Sequence, residues 1–132
     1  MAVTLPRNII GLAGEFRVMS ELLMRGHNPA KSYLEDGADI ILMDGTRIEV
    51  KCAHKLGREN GYNYSIKCGH EGYRRTLPNC DFIICWCMDE DVFFIIPFGA
   101  VKHLTSIGLP SLERKSKYTY YRNNWNLIKG GK

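Results

Sequence analysis

The spacing of apolar positions changes along the chain. Over residues 8–25 it steps by three and four. Leu12, Phe16, Met19 and Leu23 form one stripe, widened by Val18 and Leu22, which predicts a helix buried along one side. Asn8 is the expected N-cap and Gly26 the expected C-terminal stop. Glu15 falls with Gly11, Val18 and Leu22 at the edge of the stripe, away from Arg17, Glu21 and Arg25. A carboxylate there needs a partner or an ion, or must reach water. Gly11 and Gly14 weaken the helix intrinsically and predict close approach of another backbone.

Residues 27–36, with Pro29 inside and Gly37 after, read as an edge strand or loop. Residues 37–51 read as two short strands around Asp44-Gly45, among the strongest local hairpin signals. On the second strand Ile48 and Val50 point one way and Arg47, Glu49 and Lys51 the other. A two-residue loop would put Asp39 opposite Val50, on the wrong face. A three-residue loop or a bulge shifts the register by one and brings Asp39 to the face of Glu49 and Lys51, and this is expected.

Further on, Tyr62, Tyr64, Ile66 and Cys68 alternate with Asn63, Ser65 and Lys67 as a strand. Were it beside the Glu49 strand, Lys67 would approach the same face. Residues 71–77, with Tyr73, Arg74 and Arg75, read as a short helix ended by Pro78. Residues 81–88 and 92–98 are nearly continuous apolar runs around Asp89-Glu90-Asp91 and predict two buried strands. Residues 98–107 read as a short helix bearing Lys102 and His103, and 111–117 as a mobile connection. Tyr118, Tyr120, Tyr121, Trp125, Leu127 and Ile128 are expected to dock on the core, and Gly130-Gly131-Lys132 to fray.

A chain of 132 residues suits a single domain, 1–132. Apolar content of 45% and charged content of 24% are those of an ordinary globule. No apolar run approaches the roughly 18 residues of a membrane helix. The first ten residues, broken by Pro6, Arg7 and Asn8, are no signal peptide. The expectation is a cytoplasmic protein without membrane contact. Five cysteines, an odd number, then favour reduced thiols over a disulfide framework. Cys52-Ala53-His54 and Cys68-Gly69-His70 invite zinc, but a Cys-x-His step fits structural zinc spacing poorly. The net charge of +4 is unevenly spread. Residues 1–53 hold six basic and seven acidic groups, residues 54–79 five against two, and residues 91–132 seven against two. The later segments could therefore grip phosphates.

Asp39, Glu49 and Lys51 carry the candidate chemistry. A carboxylate pair can hold Mg²⁺, and an ammonium beside it can steady an attacking hydroxide or developing charge, as metal-assisted phosphodiester cleavage requires. The plain alternative is a solvated hairpin face on which Glu49 and Lys51 merely pair.

The pattern Gly37-Ala38-Asp39 followed by Glu49-Val50-Lys51 resembles the signature of the restriction-endonuclease-like, or PD-(D/E)xK, nucleases. Ala38 stands where the motif name has proline. A helix with Glu15 upstream is similar to that of members related to archaeal Holliday junction resolvases. The resemblance implies that Asp39 and Glu49 ligate Mg²⁺, or Mn²⁺ in its place, that the Val50 carbonyl completes the shell, that Lys51 works on the water, and that Glu15 assists. The ending Tyr121-Arg122-Asn123-Asn124-Trp125 is similar to that of some small homing-type members.

The expected architecture is α/β: a restriction-endonuclease-like core with a mixed sheet of about five strands flanked by helices. The expected activity is that of a Mg²⁺-dependent structure-selective DNA endonuclease, a Holliday junction resolvase acting on branched DNA as a homodimer. Candidate DNA contacts are Lys31, Ser32, Lys55, Arg58, Lys67, Arg74 and Arg75, although Lys31 and Ser32 fit an ordinary loop equally well. Alternatives are a homing or restriction-type enzyme, a flap or nick endonuclease, a noncatalytic nucleic-acid binder, and a zinc-binding interaction module. Sequence readers need elements that reach base edges, and little chain is left to supply them.

Overall fold

The computed structural model describes residues 5–32, 38–56, 61–70, 73–76 and 80–130, and for 67–70 and 73–76 the backbone alone. It begins with the helix α1, Arg7–Met24. Asn8 lies inside the helix. The position before it is Pro6, in extended conformation, whose carbonyl accepts from the N–H groups of Ile9 and Ile10. The helix ends as the sequence indicates. Gly26 takes φ +88°, its N–H bonds the Leu23 carbonyl, and the N–H of His27 bonds that of Leu22. That is a Schellman closure, for which a residue without a Cβ is preferred.

The buried face of α1 is not the expected stripe. Gly14, Val18 and Leu22 are the buried residues, whereas Leu12, Phe16 and Leu23 are exposed. The row that meets the sheet starts with the smallest side chain, because Gly14 lets the helix backbone come down onto a strand residue. A Cβ built there would fall 2.0 Å from the Cys52 Sγ. Periodicity finds apolar rows on a helix, but close approach decides which row is covered.

Five strands form the main sheet: β1 (Pro29–Lys31), β2 (Ile40–Leu42), β3 (Arg47–Ala53), β7 (Phe82–Cys87) and β8 (Val92–Pro97), hydrogen-bonded in the order β1-β2-β3-β7-β8. Only β3 and β7 run parallel. Between them the chain forms β4 (Gly61–Ser65), β5 (Lys67–His70) and β6 (Tyr73–Thr76). β4 pairs with β9 (Ser106–Pro110), and β5 with β6 as a separate two-stranded ribbon.

Both faces of the sheet are covered, which is why β7 and β8 read as unbroken apolar runs. Val18 and Leu22 of the helix pack on Ile40, Ile48, Ile84 and Ile95. On the other face Ile83, Cys85, Phe94 and Ile96 pack with Tyr62, Tyr64, Ile107 and Leu109 of the β4–β9 pair. The terminal aromatics dock as expected through Tyr118, Trp125 and Ile128, with Trp125 5.4 Å from the Phe93 ring, while Tyr120 stays exposed. Asn123, at φ +51°, exchanges hydrogen bonds with the Phe93 backbone and fixes the segment to β8.

Three expectations are corrected. Tyr73–Thr76 is a strand, since its backbone finds partners in β5 that a four-residue helix could not supply. In residues 98–107 only Phe98–Ala100 forms a 3-10 turn, residues 101–105 turn without helix, and the chain enters β9 at Ser106, where Ile107 and Leu109 are buried in alternation. Residues 111–117 are tied down, with Ser111 fully buried and the Arg122 guanidinium donating to the carbonyls of Ser111 and Arg114. Among the described residues no helix is long and apolar enough to cross a membrane.

Candidate active site

The hairpin between β2 and β3 sets the geometry. The Leu42 N–H bonds the Thr46 carbonyl, the Gly45 N–H bonds that of Leu42, and Gly45 sits at φ +94°. Asp44 accepts from the Thr46 N–H at 2.9 Å and holds the turn. The loop is thus the three residues 43–45, and Ile40 pairs with Ile48 and Ile41 with Arg47. One step further this register sets Asp39 opposite Glu49, on the face expected for it.

The side chains follow. Asp39 Oδ2 accepts a 2.8 Å hydrogen bond from the Val50 N–H, and Glu49 Oε2 stands 3.8 Å from Lys51 Nζ. Both Glu49 and Lys51 are mostly buried. Burial raises the Glu49 carboxyl to about 7, helped by the neighbouring charge of Asp39 and opposed by Lys51. Burial also raises Asp39, against the pull of the Val50 hydrogen bond. Two carboxylates so placed must share a proton or a cation, because their joint ionisation in a desolvated pocket is costly.

Glu15 lies on α1, and its carboxylate is ion-paired to Lys31 of β1. Its charge reaches both Asp39 and Glu49. Sequence reasoning missed this role of Lys31, which it offered to a phosphate. Only the spacing of Lys31 from Asp39, on strands that turn out to be neighbours, could have hinted at it. Ser32 gives its N–H to the Asp39 carbonyl, a main-chain link that steadies the start of β2.

The other offered contacts scatter. Lys55 Nζ lies 3.5 Å from Glu90 and its N–H bonds Asp89. Lys67 is not on a strand beside β3, whose paired neighbours are β2 and β7. With Arg74 and Arg75 it belongs to the β5–β6 ribbon. Arg58 lies outside the described residues.

Among the described residues no three side chains of His, Cys, Asp and Glu form a metal-holding group. What is present is the Asp39–Glu49 pair, oxygen donors only. His54 bonds Asp89 at 2.7 Å. Burial raises the Cys52 thiol to about 11, and Cys80 and Cys87 to about 12. Thiols held neutral in this way are poor ligands and weak nucleophiles.

No family model matches the chain, and no curated protein matches it. Among solved structures the chain is similar to a bacterial homing endonuclease, I-Ssp6803I, with a TM-score of 0.77 at 18% identity over 92% of each chain. The two chains share a fold. The likeness runs along nearly the whole length, and the expected α/β architecture with a mixed five-stranded sheet stands.

Proposed function

We propose that this chain is a divalent-metal-dependent DNA endonuclease of the homing type, built on the PD-(D/E)xK plan. One observation carries the reading: the three-residue loop at 43–45 sets Asp39 beside Glu49 and Lys51, on a fold similar to that of a homing endonuclease. Asp39 and Glu49 would hold Mg²⁺ or Mn²⁺, with the Val50 carbonyl beside them. The bound ion supplies charge neutralisation and an acidified water. The oxygen-only donor pair and the elevated Glu49 pKa suit a hard cation that displaces a proton.

In this reading Lys51 donates to the attacking oxygen or to the charge developing on phosphorus. Water adds to phosphorus and one P–O ester bond breaks, leaving a phosphate and a hydroxyl. Glu15, held by Lys31, keeps an anion at the helix side of the cluster and so fixes Lys31 near Asp39. Two copies would cut the two strands of a duplex.

The Holliday junction resolvase and flap or nick readings share this chemistry. What favours the homing type is the β5–β6 ribbon, a two-stranded element outside the main sheet that carries Lys67, Arg74 and Arg75. A two-stranded ribbon matches the width of a major groove, so the chain does have material for reading base edges. The test is incubation of long duplex DNA, a four-way junction and a flap, each with Mg²⁺ and with EDTA. Discrete duplex fragments formed with Mg²⁺ alone are expected. Symmetric nicking of the junction only would select the resolvase reading. DNA binding without cleavage of any substrate, or zinc bound after purification, would return the chain to the binding-module class.

A further inference from the structure

At the C-terminal end of α1 the terminal segment comes back against the residues that leave the helix, and Lys129 lines three hollows there. Two of them have Asp44 on the wall, one with Asp81 as well. The third, about 240 Å³, is lined by Arg25, His27, Trp125 and Lys129 and, among the described residues, by no carboxylate. Pockets for drug-sized ligands begin at roughly 300 Å³, so this one suits a small group.

Its donors suit an anion. The Arg25 guanidinium stacks over the Trp125 ring at 5.1 Å, and its Nε stands 3.5 Å from Glu21, whose charge is shared with Arg17. These contacts orient the planar fork, yet among the described residues the Arg25 side chain donates no hydrogen bond, and Lys129 has neither an ion pair nor a hydrogen bond. A held guanidinium recognises phosphate oxygens in pairs, and an ammonium adds a point charge. Free carbonyls at a helix C-terminus would oppose an anion. Here those of Glu21, Leu22 and Leu23 already accept from the N–H groups of Arg25, His27 and Gly26.

We infer that this hollow binds a phosphate group, gripped by Arg25 and Lys129 with His27 beside them. The same chemistry serves a phosphodiester in a DNA backbone and a free phosphate ester. The site rests on these residues alone, and only its assignment to DNA rests on the function proposed above.

The experiment is NMR of the full chain at fixed ionic strength, following the N–H signals of His27 and Gly130 and the Trp125 indole. Chloride is exchanged for inorganic phosphate, then for a nucleoside monophosphate, and in a third arm a short duplex DNA is added with EDTA. Saturable shifts of these signals are expected with phosphate and not with chloride. Lys129→Gln should weaken binding about tenfold, the worth of one charged hydrogen bond, and Arg25→Gln combined with Lys129→Gln should abolish it. All three side chains are at least partly exposed, so signals elsewhere in the chain should stay in place in both variants. Lys102→Gln, an exposed lysine that lines none of these hollows, should change nothing. The same shifts with duplex DNA, lost in the same variants, would assign the phosphate to a nucleic-acid backbone. Shifts with the two small probes but not with DNA would assign it to a free ester, and would count against DNA contact here without touching the cleavage chemistry at Asp39. No saturable shift with any of the three, or shifts undiminished in the double variant, would overturn the proposal.

Discussion

The carboxylate of Asp39 is held by the main chain of the strand it faces, accepting the Val50 N–H at 2.8 Å. The residue on either side of that N–H is thereby aimed. Glu49 precedes it and shares the pocket with Asp39, and Lys51 follows one residue on, returning to the same face. A single hydrogen bond thus couples the hairpin register to the spacing of the charged groups.

If these groups act as proposed, removing them separates binding from chemistry. Lys51→Ala is expected to lower the single-turnover cleavage rate by about 10²–10³-fold, the scale of losing one charge-stabilising donor. DNA affinity measured with EDTA present should change little. Asp39→Asn should abolish Mg²⁺-dependent cutting while loosening little of the fold, because its amide oxygen still accepts from Val50. Cleavage by Lys51→Ala at the wild-type rate would remove Lys51 from the site.

Stability should fall as pH rises from the ordinary carboxyl range to about 7. The Glu49 carboxyl is raised by burial and by Asp39 from 4.5 to about 7, so the folded chain binds a proton the unfolded chain has already released. That contribution is fully present below the unfolded value and is lost as pH climbs through about 7. It amounts to about 3 kcal/mol at most, and Asp39 shifts in the same direction. Urea melts across this range should show the decline, Glu49→Gln should flatten it, and added Mg²⁺ should restore stability chiefly on the alkaline side. A flat wild-type profile would mean that the two carboxylates do not face each other.

Ionic contacts of the ribbon offer a third check. If Lys67, Arg74 and Arg75 meet phosphates, each change to Ala should reduce the slope of log affinity against log salt by about one. If one of them reads a base, its loss should cost about 1–3 kcal/mol on the target duplex and little on unrelated DNA. Binding that is unaffected by all three would leave the β5–β6 element without a role in DNA contact.

Residues with strong local chemistry were legible in the sequence. Asp44-Gly45 announced the turn, and the need to unite Asp39 with Glu49 called for a three-residue loop or a bulge, of which the chain takes the loop. The apolar runs of β7 and β8 and the Gly26 closure were equally plain, since each depends on a few adjacent side chains. What escaped depends on distant partners. Tyr73–Thr76 is a strand only because Lys67–His70 lies beside it. Phe16 is exposed only because Gly14 sits where Cys52 rises from the sheet. Lys31 belongs to the site only because α1 brings Glu15 across to it. Periodicity records neighbours along the chain and is silent about which apolar row of a two-faced helix a sheet will take.

That choice of row leads to the last expectation. A methyl group added at Gly14 would lie 2.0 Å from Cys52 Sγ and 3.4 Å from the Trp86 ring, so α1 must lift or Cys52 must turn toward its charged neighbours. Gly14→Ala in a helix interior would ordinarily gain up to about 1 kcal/mol. Here it is expected to cost about 1–3 kcal/mol, because an overpacked core cannot relax freely. Cys52→Ala removes the sulfur and leaves the Trp86 ring at 3.4 Å and the Cβ of residue 52 at 3.7 Å, both ordinary contacts. The double variant should therefore recover most of the loss, a coupling of more than about 1 kcal/mol in a double-mutant cycle. Because Glu15 follows Gly14, the single variant should also weaken the Glu15–Lys31 contact and reduce cleavage more than its stability loss explains. Additive melts, with Cys52→Ala giving no rescue, would show that α1 does not rest on Cys52, and the account of why Val18 and Leu22 are buried would fall with it.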